Sequence, residues 1–541
     1  MKDTTHSIMS SAKRFLGGTV LSRISGMLRD IAMAFAFGTH ETIAAFLVAF
    51  RLSHLLRRLF GEGALQTAFT PQFEKLRLES SEKACFFYRD LLALLTVGLS
   101  ALIFISMALL GTLLFFVDFS PGNREIISLT LLLMPSLLFI CLFGLNASLL
   151  QCEKSYFTPG VAPVAFNLIW IVGVLCLRHL SPVGAMPWLA MWVIAACFFQ
   201  WAITVPKALS ILRSHGLHMP WKGIRLFSQD LKFFAKPLLL GIVGVAATQV
   251  NNALDAIFAR YADGEGPAFL WYALRIQQLP LALFGIAIAG ALLPPLTRAL
   301  KNQELEKFHL FLRFAVQRSI ALIFPITIAL FVLGDSCINL IYGRGDFDTA
   351  SIVGTTTCLW GYAAGLLPMT FVLIFAPVFY ALDNARVPAI ISVITVAINI
   401  FLNTLMISVY GLGAASVAFA TSISAWLNFV FLAYALPGVD NLFNKAFLFN
   451  SAKIVLASMT AGFFVILFDV YFINGSTFLG ISKGHISLYP TEFTSQFLRL
   501  SIQAICFCTT LVATAWMLKA DDLLYFFTGS REEQKRVNST Q

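Results

Sequence analysis

Residues 90–117 read DLLALLTVGLSALIFISMALLGTLLFFV, and no charged side chain follows Asp90 in this stretch. A run of about 20 apolar residues is long enough to cross the roughly 30 Å hydrocarbon core of a bilayer as a helix. A backbone exposed to lipid must satisfy its own hydrogen bonds, so a helix is the expected structure. The segment therefore predicts a membrane-spanning helix.

The same pattern recurs along the chain and predicts about 14 transmembrane helices. The predicted ranges are 15–37, 42–70, 90–117, 126–151, 157–177, 186–206, 237–259, 266–297, 314–342, 350–381, 388–408, 412–435, 447–472 and 497–518. Of the 541 residues, 58% are hydrophobic and only 12% are charged. Soluble domains are about 25% charged. We therefore predict an all-α integral membrane protein.

The positive charge of the chain follows its predicted topology. Most Lys and Arg residues of the connections fall on one side of the membrane. The opposite side carries only Arg124, Arg178, Arg260, Arg344 and Lys483. By the positive-inside rule the richer side is cytoplasmic, and both termini lie there. The net charge of +10 thus reflects orientation, and no nucleic-acid role is expected.

The cysteines give no sign of a metal site or a disulfide framework. All nine are scattered, mostly within apolar segments, and none forms a CxxC or His–Cys cluster. No phosphate-binding GxxxxGK[ST] loop occurs either, so ATP hydrolysis by this chain is not expected.

Two stretches, 50–71 and 274–295, resemble each other at a constant offset of 224 residues. The offset aligns Arg51 with Arg275 and Gly61 with Gly285. An even number of spans separates equivalent points, which predicts parallel repeats, a transporter architecture; chance similarity is the alternative. We predict an N-terminal six-helix lobe over 1–225, a C-terminal six-helix lobe over 226–440, and two further helices with a cytoplasmic tail over 441–541.

Ionisable side chains inside the apolar segments mark the candidate site. A charge at the centre of a spanning helix costs about 2.5–3.5 kcal/mol, so such groups face a protein interior or a watery cavity. The predicted spans contain eight that stand out: Arg23, Arg29, Asp30, Arg51, Arg57, Arg58, Glu62 and Arg275. Since most are arginines, the expected guest is an anion.

The first span places two arginines and one acid close together. Arg29 shares a helix stripe with small and hydroxyl residues, while Arg23 and Asp30 share the adjacent stripe. Asp30 can neutralise only one arginine, so a bound anion would supply the missing charge. The alternative is a purely structural polar network.

The second span carries four polar side chains at helical spacing: Arg51, His54, Arg58 and Glu62. Arg58 and Glu62 form an i,i+4 pair that we interpret as structural. Arg57 lies off this stripe without a local acid and is the better ligand candidate. Gly61 and Gly63 flank Glu62 and predict either a hinge or close helix packing.

Three further groups of polar residues lie in later spans. Arg275 has no acid within one turn and is a candidate ligand. Asp255, Asn399 and Asn403 could coordinate a monovalent cation, with ordinary interhelical hydrogen bonds as the alternative. Another set lies near span ends and is interpreted as snorkelling to the interface: Arg318, Lys453 and Arg499.

The run from Ser22 to Asp30, together with Ala49–Leu52 and Leu55–Ala64, strongly resembles the MurJ (MviN) family of bacterial lipid II flippases in the MOP exporter superfamily. The similarity extends from the first predicted span to about the fourteenth. It includes Tyr272–Arg275 and the loop from Tyr380 to Pro388. The resemblance implies fourteen helices, two of which form a groove for the lipid tail.

The resemblance also implies roles for individual residues. It implies that a central cationic cavity for the diphosphate and sugar head group is lined by Arg23, Arg29, Arg57 and Arg275, with Asp30 in the same motif. Some members of the family bind sodium between the seventh and eleventh helices, where Asp255, Asn399 and Asn403 are the equivalents. Relatives often carry an acid where this chain has Ala44 and Ala45, which puts acid-dependent gating in doubt.

We therefore predict a flippase, not an enzyme, that moves undecaprenyl-diphosphate-linked peptidoglycan precursor across the bacterial inner membrane by alternating access. The expected partners are the lipid-linked glycan, membrane lipids and cell-wall synthesis proteins. An ion gradient, with Na⁺ as the candidate coupling ion, or the membrane potential is expected to drive transport. The alternatives are a flippase for another polyprenyl-diphosphate-linked oligosaccharide, a membrane glycosyltransferase, and a non-transporting scaffold for cell-wall enzymes. A cationic-drug antiporter would line its cavity with acids rather than arginines.

Overall fold

The structure is a computed structural model that describes residues 5–60, 64–215, 223–226, 228–382, 384–436, 438–439, 444–470 and 489–528. Within these ranges all regular structure is helical and no strand occurs. The predicted all-α membrane fold is confirmed.

The chain divides into two compact units, Met1–Arg260 and Tyr261–Gln541, here called the first and second units. The first nine helices are α1 (Thr5–Phe37), α2 (Glu41–Phe60), α3 (Ala64–Glu79), α4 (Ser81–Phe116), α5 (Pro121–Leu133), α6 (Ser136–Cys152), α7 (Phe157–Leu177), α8 (Pro182–Ala202) and α9 (Val205–Ser214). Helix α10 (Gln229–Ala262) contains the boundary between the units. The predicted division into two six-helix lobes, 1–225 and 226–440, and a C-terminal segment, 441–541, stays a prediction.

The second unit contains the other helices. They are α11 (Gly266–Pro280), α12 (Ile286–Lys301), α13 (Leu305–Tyr342), α14 (Thr349–Ala363), α15 (Leu366–Ala381), α16 (Arg386–Thr404), α17 (Ala415–Ala435), α18 (Lys445–Phe468), α19 (Phe493–Met517) and α20 (Asp521–Thr528). Short π-helical turns follow α11 at Leu281–Gly285 and α16 at Leu405–Val409.

Each of the fourteen predicted spans contains at least one helix. By length and composition, nine helices in the described part of the chain qualify as membrane spans, or ten if the bent pair α5 and α6 counts as one. The chain is thus a multi-pass membrane protein. The count of fourteen stays a prediction, as do the positions of the termini.

The helix starts follow from local sequence. Pro121 and Pro182 open α5 and α8, where the missing N–H of proline costs nothing. The Asp348 carboxylate accepts a hydrogen bond from Ser351 N at 2.8 Å and caps α14. Asn444 caps α18 in the same way, accepting from Phe447 N at 2.8 Å.

Several predicted spans are interrupted. Helices α5 and α6 meet at a 45° bend next to Pro135, a residue whose ring disfavours a continuous helix. Between α11 and α12 the π-helical turn ends at Gly285, where an added Cβ would lie 3.1 Å from Leu281 Cδ1 and 3.3 Å from Thr370 Oγ1. Gly61, the residue aligned with Gly285, lies outside the described residues together with Glu62 and Gly63.

The two units repeat one packing plan with a shift of nine helices. In the first unit α2 packs on α5, α3 on α6 and α7 on α8. In the second unit the corresponding pairs are α11 on α14, α12 on α15 and α16 on α17. This agreement between helix pairs supports the predicted internal repeat independently of the sequence alignment.

One close helix crossing in the second unit depends on glycine. Gly361 on α14 and Gly365, which lies between α14 and α15, both face α17. A Cβ at Gly361 would lie 2.7 Å from Ala418 Cβ and 3.1 Å from Phe419 N. The Ser422 hydroxyl donates to Gly361 O at 2.5 Å. Small residues at this spacing allow two membrane helices to approach closely.

Helices α18 and α19 pack against α13, and the short helix α20 packs on α13 and α19. The interpretation of Arg318 and Arg499 as snorkelling side chains is wrong. Arg318 is 6% exposed and contacts Asp522 of α20, and Arg499 is 8% exposed with Nη2 3.5 Å from Asp335 Oδ2. Lys453 is half-buried and donates to Lys519 O at 3.3 Å.

Candidate substrate-binding site

The Arg29–Asp30 pair lies at the centre of the candidate site in the first unit. Arg29 is 5% exposed and Asp30 is 1% exposed. The guanidinium donates to Asp30 Oδ1 from Nη2 at 2.8 Å and from Nε at 3.1 Å. A charged arginine inside an apolar helix needs such compensation, and the neighbouring residue provides it.

Helix α7 provides two more partners for Arg29. Arg29 Nη1 donates to Asn167 Oδ1 at 3.2 Å, and its guanidinium carbon lies 4.7 Å from the centre of the Trp170 ring. Asn167 Nδ2 in turn donates to Ser25 Oγ at 2.9 Å. The guanidinium is therefore fixed in place by α1 and α7 together.

Sequence reasoning missed Asn167 and Trp170. Both lie in the apolar segment 157–177, three residues apart and hence on one face of α7. Asn167 is a lone amide in that segment, and this was the available signal. Its partner could not be identified because the contact joins residues far apart in the sequence.

Arg23 and Arg57 have more accessible side chains than Arg29. Arg23 is exposed on α1, whereas Arg57 and Arg51 are half-buried on α2. The sequence predicted that Asp30 neutralises one of the two arginines of α1, Arg23 or Arg29. In the structure its carboxylate pairs with Arg29. The side chain of Arg58 is not described, so its predicted pair with Glu62 stays untested.

Arg275 lies on α11 in the second unit and is half-buried. Its guanidinium carbon is 5.1 Å from the centre of the Trp271 ring, one turn earlier on the same helix. This cation–π contact holds the side chain close to its own helix. The predicted convergence of Arg275 with Arg29 and Arg57 stays a prediction.

The residues predicted to bind a cation are buried and already hydrogen-bonded. In the first unit, Asn251 Nδ2 donates to Asp255 Oδ2 at 3.3 Å. In the second unit, Asn403 Nδ2 donates to Asn399 Oδ1 at 2.9 Å, and Asn399 Nδ2 lies 3.5 Å from Thr421 Oγ1. Within the described residues, no group of three His, Cys, Asp or Glu side chains could hold a metal ion.

The second unit contains an apolar cavity of about 260 Å³ between α13, α19 and α20. Its lining includes Leu322, Ile326, Leu333, Phe507, Leu511 and Phe526. Such a lining suits a hydrocarbon chain and offers nothing to a polar ligand.

Arg318 of α13 contacts α20 beside this cavity. Its Nη1 donates to Asp522 O at 3.2 Å, and its guanidinium carbon lies 4.3 Å from the Tyr525 ring centre. Gln317 Nε2 also donates to Asp522 Oδ2, at 2.5 Å. Helix α20, whose Phe526 lines the cavity, is thus held by polar contacts to α13.

Replacing Arg318 by alanine is expected to loosen α20 without unfolding the protein. The loss of the cation–π contact should cost about 1.4 kcal/mol, a roughly tenfold rise in amide exchange over residues 521–528. Hydrogen–deuterium exchange measures this directly. Lys307→Ala, which removes an exposed charge from the same helix, is the control and should leave that exchange unchanged. Equal exchange in the two variants would contradict the prediction.

The fold and the site define a multi-pass membrane protein with a buried arginine–aspartate pair in its first unit. The solved structure of the lipid II flippase MurJ in an inward closed conformation matches with a TM-score of 0.72, at 22% identity, over 92% of this chain and 98% of that one. An inward-facing MATE family multidrug transporter of the MOP superfamily matches with a TM-score of 0.63, at 13% identity, over 78% of this chain and 95% of that one. These similarities show a shared fold.

Sequence comparisons give the family. The model of the family described as "Lipid II flippase MurJ" matches residues 33–482. The probable lipid II flippase MurJ of Chlamydia muridarum (strain MoPn / Nigg) is 30% identical over 528 residues, covering 97% of this chain and 96% of the relative. That of Rhizobium meliloti (strain 1021) is 30% identical over 440 residues, covering 78% and 80%. The chain belongs to the MurJ family.

Proposed function

We propose that this protein moves lipid II, the undecaprenyl-diphosphate-linked peptidoglycan precursor, from the cytoplasmic to the outer leaflet of the bacterial inner membrane. The observation that carries the proposal is the family match over residues 33–482. The relatives that match are probable lipid II flippases. We further propose that both termini are cytoplasmic and that cell-wall synthesis proteins are partners.

The arginines would bind the diphosphate. Guanidinium groups form charge-assisted, often bidentate hydrogen bonds with phosphate oxygens. The Arg29–Asp30 pair is close to neutral by itself, so attraction for an anion would come chiefly from Arg23, Arg57 and Arg275. Arg29 would supply fixed donors, because Asn167 and Trp170 hold its orientation.

The lipid tail and the driving force complete the proposal. The apolar cavity between α13, α19 and α20 would receive part of the prenyl chain. Sodium would be the coupling ion, with oxygen ligands from Asp255, Asn399 and Asn403, the donor type that hard cations prefer. The membrane potential would contribute about 2.3 kcal/mol per charge moved across 100 mV. The chain would act as a carrier and catalyse no bond cleavage.

The test is translocation in proteoliposomes that contain the purified protein and fluorescent lipid II but no sugar donor. Movement of the label to the opposite leaflet, measured by leaflet-specific quenching, is the expected result. Loss of one arginine–phosphate contact should cost about 1.5–3 kcal/mol, so Arg57→Ala and Arg275→Ala should each slow transport about tenfold or more.

The control for this experiment is Arg178→Ala, which removes an exposed arginine outside the candidate site. Its transport rate should equal that of the unchanged protein. Translocation without a sugar donor would exclude the glycosyltransferase alternative. Absence of lipid II movement by a well-folded protein, with movement of another polyprenyl-diphosphate-linked glycan, would overturn the proposed substrate.

A further inference from the structure

His54 is a buried imidazole that the proposed binding of diphosphate does not use. It lies on α2, between Arg51 and Arg57, and is 8% exposed. Its ring packs on Phe50, with centroids 4.0 Å apart and ring planes at 30°. A polar ring in this position needs hydrogen-bond partners for both of its nitrogens.

Within the part of the chain that the structure describes, only one nitrogen of His54 has such a partner. Nδ1 lies 2.9 Å from Phe50 O, one turn earlier on the same helix. Because a carbonyl oxygen can only accept, Nδ1 carries the hydrogen, and in the neutral ring Nε2 is left as an acceptor. Among the described residues no group bonds to Nε2, although the atom is fully enclosed.

A chain of aromatic contacts joins His54 to the Arg29 site. Phe50, on which the imidazole packs, meets Trp170 edge-on with centroids 5.0 Å apart. Trp170 in turn lies 4.7 Å from the guanidinium carbon of Arg29. Arg57 follows His54 by three residues on α2 and so lies on the same side of that helix. The unsatisfied acceptor therefore belongs to the same cluster as two proposed ligands of the head group.

This cluster offers more hydrogen-bond donors than acceptors to a ligand. Arginine side chains only donate hydrogen bonds, which suits the oxygens of a diphosphate. A glycan head group also presents hydroxyl and amide hydrogens, and these require acceptors. Within the cluster the Asp30 carboxylate is bound to Arg29 and the Asn167 oxygen accepts from Arg29. Arg29 thus engages Asp30 Oδ1 and Asn167 Oδ1, whereas His54 Nε2 accepts no hydrogen bond from any described residue.

We propose that His54 Nε2, enclosed in the conformation described, accepts a hydrogen bond from a hydroxyl or amide group of the glycan part of the substrate when alternating access opens this cluster. This inference rests on the proposed function and extends it from the diphosphate to the sugar–peptide moiety. An enclosed acceptor without a donor is costly in free energy, so the substrate-free arrangement is penalised until the substrate provides one. His54 would thus favour the complete head group over a bare diphosphate.

The test compares two ligands and two variants of similar side-chain length in the full-length protein in nanodiscs. His54→Met removes the strong acceptor, and His54→Gln keeps one on a side chain of similar length. His54→Met should bind lipid II about tenfold more weakly than the unchanged protein, while its affinity for undecaprenyl diphosphate is unchanged. His54→Gln should recover most of the affinity for lipid II. The melting temperature of His54→Met should not fall, because no acceptor is then left unsatisfied.

Three results would overturn the inference: unchanged binding of lipid II by His54→Met, an equal loss for both ligands, or a Met variant no weaker than the Gln variant. If His54→Met does not fold, His54→Phe replaces it in the comparison. Arg57→Ala separates this proposal from the proposed function. If Arg57→Ala weakens both ligands and His54→Met weakens neither, only the role of His54 fails. If Arg57→Ala weakens neither ligand, the proposed function fails.

Discussion

Replacing Asp30 by alanine is expected to lower the free energy of unfolding by about 3–5 kcal/mol, the usual cost of removing one member of a buried ion pair. The guanidinium of Arg29 would stay in an apolar helix without the carboxylate that accepts from its Nε and Nη2. Thermal unfolding of the purified protein in detergent should show a large fall in melting temperature. Transport should fall with it.

The double variant Arg29→Met/Asp30→Leu shows whether the pair is there for stability or for function. Replacing both charges by apolar groups is often neutral or stabilising, so the melting temperature should largely recover. Transport should not recover, because the diphosphate would lose a donor. Asp118→Ala, at an exposed position, is the control for loss of one acid. If Asp30→Ala melts like Asp118→Ala, the proposed role of the pair is wrong.

Gly361→Val is expected to destabilise the second unit by about 1–3 kcal/mol or more, as overpacking at a tight contact does. The first added carbon would lie 2.7 Å from Ala418 Cβ and 3.1 Å from Phe419 N. The second of these is a backbone atom, so α17 as a whole would have to move. That movement would also break the hydrogen bond from Ser422 to Gly361 O.

Gly98 provides the matched control for this substitution. It lies inside α4, and an added Cβ there would meet nothing within 4 Å. Gly98→Ala should therefore be neutral or stabilising by about 0.5–1 kcal/mol, the helix-propensity difference between the two residues. The melting temperature of Gly98→Ala reports the change in helix propensity alone. Those of Gly361→Ala and Gly361→Val also include the steric crowding against α17. Equal shifts for Gly98→Ala and Gly361→Ala would contradict the packing argument.

The helical fold could be predicted from the sequence because each span carries its own signal. The apolar run at 90–117 is one helix, α4, without reference to anything it packs against. The breaks within spans were harder to predict. Hydropathy continues across Met134 and Pro135, while the backbone bends there by 45° between α5 and α6.

The candidate site could be predicted only in part. Arg29 and Asp30 stand out as charges in an apolar run, but Asn167 and Trp170 join them through contacts between distant segments. Arg318 and Arg499 were misinterpreted for the same reason. Each lies near a span end, where snorkelling is the usual explanation, and their partners Asp522 and Asp335 are on other helices. Helix α20 was missed because it is too short to cross a membrane.

The repeated packing plan bears on the ancestry of the protein. A tandem duplication of one ancestral gene accounts for helix pairs that recur nine helices later. At the same offset of 224 residues, Arg51 has its counterpart in Arg275, whereas Arg29 and Asp30 correspond to Ala253 and Leu254. The ion pair of Arg29 and Asp30 therefore occurs in one copy, whereas an arginine at the aligned position 51 or 275 occurs in both.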